Sequence, residues 1–64
     1  MSDRAQRVLD ALIHYYYTNG YSFPFKSLHD FVMDIDSLKI NADYDLLTVD
    51  EEKQIIEAFL EHSY

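Results

Sequence analysis

Backbone punctuation in this chain is confined to one short stretch. Its single glycine and single proline are Gly20 and Pro24, so the flanking segments lack both the residue that most readily takes a left-handed turn and the residue that breaks a helix. Within those segments the apolar side chains recur at steps of three and four. Ala5, Val8, Leu9, Leu12, Tyr15 and Tyr16 follow this spacing, as do Leu28, Phe31 and Val32, and then Ile55, Ile56, Phe59 and Leu60. This is the period of an amphipathic helix with one face against a core. No run of alternating β-branched residues is long enough for a strand. The pattern predicts an all-α fold, a compact bundle of three to four short helices, with Leu12 and Phe59 in its core.

Local signals set the expected boundaries. Ser2 is placed to cap a first helix running from Asp3 to about Thr18, Asp3 favours the positive end of its dipole, and Asn19-Gly20 is a helix stop. Tyr21-Ser22-Phe23-Pro24-Phe25 is aromatic where loops are usually polar, and the spacing predicts that it folds back onto the core. Ser27, with Asp30 three residues on, reads as the cap of a second helix ending near Asp34. Leu38 to Leu47 reads as a short helix followed by a turn. Thr48-Val49-Asp50-Glu51 has the form of a capping box, opening a last helix that ends near His62.

At 64 residues only a single small domain is expected, burying roughly 60% of the surface of its unfolded chain. Apolar residues make up 48% of the chain and there is no cysteine, which excludes a disordered acidic tail, a disulfide scaffold and a thiolate metal site. No apolar stretch approaches the ~20 residues of a membrane span, and no secretory signal is evident. A soluble, cytoplasmic protein is the expectation. The net charge of −7 is uneven: Asp3, Asp10 and Asp30 balance Arg4, Arg7 and Lys26 in residues 1–32, while nine acids face only Lys39 and Lys53 in residues 33–64. A surface of that sign repels nucleic acid and attracts a basic protein.

The stretch from Ser22 to about Glu57 resembles the small YozE-like proteins. The shared positions are Ser22-Phe23-Pro24, Asp30-Phe31, Leu38 to Tyr44 and Thr48-Val49-Asp50-Glu51, while the family's opening aromatic segment is missing. The resemblance implies a SAM-like helical arrangement and an interaction role. Arg7 to Phe31 also looks like the first two helices of the winged-helix domain of LexA-type repressors, a helix-turn-helix-like arrangement. In such domains the third helix reads the major groove with polar and basic side chains. Here that segment carries Asp36, Asp43 and Asp45 with only Lys39, a sign that opposes DNA reading.

Chemistry-bearing constellations are sparse. Asn41 to Glu52 places oxygen side chains at positions 1, 3, 5 and 12 of a calcium-type loop, but Leu46 stands where the sharp turn needs glycine. His14, His29 and His62 share no helical ligand spacing, and no nucleophile, base and orienting group fall together. No cofactor, no metal and no enzymatic activity are expected. Two partner-binding readings follow. In the first, a helical protein-protein interaction or regulatory module binds a protein partner or a second copy of itself through Ile13, Tyr15, Tyr17, Tyr21 and nearby aromatics, since three consecutive tyrosines cannot share one helical face. In the second, an acidic inhibitor, such as a phage or mobile-element product, covers the nucleic-acid-binding surface of its target with Asp34, Asp36, Asp43, Asp45, Asp50 and Glu51, beside Tyr44.

Overall fold

The structure is a computed structural model that describes residues 1–19 and 23–63. Among the described residues four helices follow in chain order: α1, Asp3–Thr18; α2, Pro24–Met33; α3, Asn41–Asp45; and α4, Val49–Ser63. There is no strand among the described residues, and the fold is all-α as the periodicity predicts. Each of the other three helices packs against α1. The reason is visible in the core: Ala5, Val8, Leu9, Leu12, Tyr15 and Tyr16 of α1 meet Phe31 of α2 and Ile55 and Phe59 of α4. Tyr16 meets Phe59 edge-on at 5.5 Å between ring centroids, and Tyr15 meets Phe31 in the same way at 5.8 Å, a geometry favoured by the ring quadrupoles.

The expected ends of α1 and α4 are realised. The Ser2 Oγ accepts from the Ala5 N–H at 3.1 Å, and Asn19 closes the helix with its side-chain amide donating to the Tyr15 carbonyl at 2.9 Å; Gly20, Tyr21 and Ser22 lie outside the described residues. At α4 the Glu51 N–H donates to the Thr48 Oγ1 at 3.2 Å while the Thr48 N–H donates to the Glu51 carboxylate at 2.9 Å. This is the reciprocal capping box.

Helix α2 corrects the expectation. It begins at Pro24, three residues before the expected cap, with Phe23 extended ahead of it. Proline at the first helical position brings its φ preset and has no N–H to satisfy, so the entry requires no hydroxyl cap. Ser27 is instead fully buried inside the helix. Nor do the described aromatics of the preceding stretch fold back onto the core: Phe23 is 68% exposed and Phe25 86%, while Tyr21 and Ser22 lie outside the described residues. Between α2 and α3 the chain descends through successive turns, Ser37 N–H to Asp34 O, Leu38 N–H to Ile35 O and Lys39 N–H to Asp36 O. Lys39 then takes φ 60°, left-handed backbone that a side chain with a Cβ disfavours. The short helix expected within residues 38–47 occupies only Asn41–Asp45.

Candidate functional site

The residues singled out from the pattern divide sharply by environment. Tyr15 is core: it is buried against Phe31, and its hydroxyl donates to Asp34 at 2.8 Å. It is thereby removed from any contact surface, because its ring completes the packing between α1 and α2. Ile13 is partly buried against the same core. Tyr17 is 61% exposed, yet its ring lies edge-on to Tyr16 at 5.4 Å and to His62 at 5.5 Å. Tyr21 lies outside the described residues.

The acidic set is likewise broken up. Asp43 takes a bidentate pair from Arg7, 2.7 Å from Nε and 2.8 Å from Nη2, tying α3 to α1. The hydrogen bond from Arg7 holds the Asp43 carboxyl below its ordinary range. Asp36 accepts from the Asn41 side-chain amide. Glu51 is buried, which corrects its assignment to an acidic face. It accepts from the Ser2 hydroxyl as well as from Thr48, and Arg4 approaches at 3.6 Å. Those bonds, Ser2 first and then the Thr48 N–H, outweigh desolvation and hold the Glu51 carboxyl low. One carboxylate therefore links the starts of α1 and α4. Asp45 and Asp50 remain exposed. Residues 41–45 are helical, so Asn41, Asp43 and Asp45 stand on a helical turn and do not wrap a common centre.

A different surface emerges from the packing. Because α2 and α4 both lean on α1, an apolar groove remains between them, backed by Val8 and Leu12 and walled by Leu28 and Val32 on one side and Ile55 and Ile56 on the other. Tyr44, Leu47 and Glu52 line it as well, and its volume is about 140 Å³. Leu28 and Val32 also line an open recess of about 690 Å³ on the outer side of α2, together with Phe23, Phe25, Lys26 and His29. Groove and recess are thus one continuous apolar face. Along α2 the positions 25, 28 and 32 follow the three- and four-residue step, beside the buried Ser27 and Phe31, so the helix carries apolar groups over a wider arc than the core covers. That breadth is a signal present in the sequence, but it shows only when Pro24 and Phe25 are counted as part of the helix.

No family model, no curated protein and no solved structure matches this chain.

Proposed function

We propose that this protein is a non-enzymatic helical interaction module, and that a protein partner docks on the apolar face shared by α2 and α4. The observation that carries the reading is the exposure of Phe25, at 86%, at the end of a groove that continues to Ile56. Leaving a phenylalanine in water forgoes about 1.5–3 kcal/mol of burial, a large amount for a domain of this size. A contiguous apolar face rimmed by polar groups is the usual mark of an interaction surface. The aromatic surface on α1 is a weaker alternative, since Tyr15 is core and Tyr17 rests on Tyr16 and His62. The acidic-inhibitor reading is weakened too. Asp34, Asp36, Asp43 and Glu51 each hold an internal hydrogen bond.

A comparative capture from cell extract tests the choice of face. A partner retained by the wild-type chain should be lost with Phe25→Asp and kept with Tyr17→Asp. The opposite pattern would move the interface to α1.

A further inference from the structure

We infer that the occupant of this face is a cationic amphipathic helix of another protein, an inference that rests on the docking reading above. Shape is the first argument. The groove lies between two helices that pack on a third, holds about 140 Å³ and runs into the wider recess through Leu28 and Val32 instead of closing into a pocket. It suits a single large anchor side chain, while the open recess beside it receives the next. An amphipathic helix supplies apolar anchors at such intervals, one or two turns apart. The molecule measures 28 × 25 × 15 Å, so about 17–19 helical residues cross its face at 1.5 Å per residue.

Charge decides the sign of the occupant. Glu52 is exposed and lines the groove, Asp45 and Asp50 are exposed where α3 passes into α4, and Lys53 is the basic neighbour in sequence. On the recess side stand Lys26 and His29. The basic residues of the occupant accordingly belong over the α3–α4 end and its neutral or acidic end over α2. A second copy of the chain brings another charge of −7, and nucleic acid and anionic lipid share that sign. A basic helix gains from both the apolar face and the field.

The test uses the full chain and three synthetic helices of equal length: one with a leucine face and lysines, one with the same leucine face and glutamates, and one with the same lysines and alanine in place of leucine. Binding is followed by backbone amide shifts. The leucine-lysine helix should shift amides along Phe25 to Val32 and around Ile56, bind at least ~10-fold more tightly than the leucine-glutamate helix, and weaken as salt rises. Phe25→Ser, at a position too exposed to disturb the fold, should reduce that binding ~10-fold. Asp45→Lys with Asp50→Lys should reverse the preference between the two leucine helices. Equal binding of both leucine helices on this face would overturn the cationic assignment and leave the docking reading standing. Equal binding of the lysine-alanine helix would reduce the effect to unspecific charge attraction and overturn the assignment as well. Failure of both leucine helices to bind would overturn both readings, and a dimer in sedimentation that buries Phe25 would make the occupant a second copy.

Discussion

Replacing Ser27 by alanine should make this protein more stable, against the usual direction of a core substitution. The side chain is 0% exposed and its Oγ has no hydrogen-bond partner among the described residues. Its N–H is already used in the helix, donating to the Phe23 carbonyl at 3.0 Å. A buried hydroxyl without a partner carries a desolvation cost of about 1–3 kcal/mol, which alanine removes. Alanine also favours a helix interior by up to about 0.7 kcal/mol. Against this, the lost oxygen leaves a void on the order of 10 Å³, worth only ~0.2 kcal/mol at ~24 cal/mol per Å³. The balance is a gain of about 1–3 kcal/mol. For a domain of this length each kcal/mol raises the midpoint by about 4–8 °C. Urea unfolding followed by far-ultraviolet circular dichroism would read the change directly, with the slope unaltered if the denatured state is unaffected. Ser27→Thr adds a methyl group to the same closed site and should cost about 1–3 kcal/mol through overpacking. A less stable Ser27→Ala would refute the reasoning, because it would mean that the hydroxyl is satisfied in solution.

Three further perturbations address other parts of the fold. Phe59→Ala removes a ring that is 1% exposed and set against Tyr16; a loss of about 3–5 kcal/mol is expected, and a melt with an unchanged midpoint would place Phe59 outside the core. Lys39→Gly relieves left-handed backbone at φ 60°; the conformational relief of about 1–2 kcal/mol less the added chain entropy of about 0.4–1 kcal/mol leaves a small net gain by denaturant titration, whereas Lys39→Val should lower stability. The pH dependence follows from Glu51 and Asp43, whose folded carboxyls titrate below their ordinary values of 4.5 and 3.8. Their stabilisation is complete above those values and is lost as pH falls from them toward the lower folded ones. The thermal midpoint should therefore hold above ~pH 5 and fall in acid, and Glu51→Gln should flatten that acid limb; a midpoint independent of pH in this range would show that neither carboxylate is engaged.

What the residues determine by themselves is whatever depends on near neighbours along the chain. The limits of α1, the Ser2 cap and the Thr48–Glu51 box were legible because each is a contact across three or four residues, and the all-α class was legible because the apolar step is local in the same sense. Even there Ser27 misled, since a serine followed by an acid three residues on fits a cap equally well whether or not a proline upstream has already opened the helix. The candidate site depended on contacts of the other kind. Ser2 meets Glu51 across 49 positions and Arg7 meets Asp43 across 36. Nothing in the order of residues says which acids will be drawn inward by partners so distant. The same holds for the groove. Whether Leu28, Val32 and Ile56 are covered or left open depends on how α2 and α4 settle on the apolar surface of α1, and there α1 holds both at a separation that leaves the space between them unfilled.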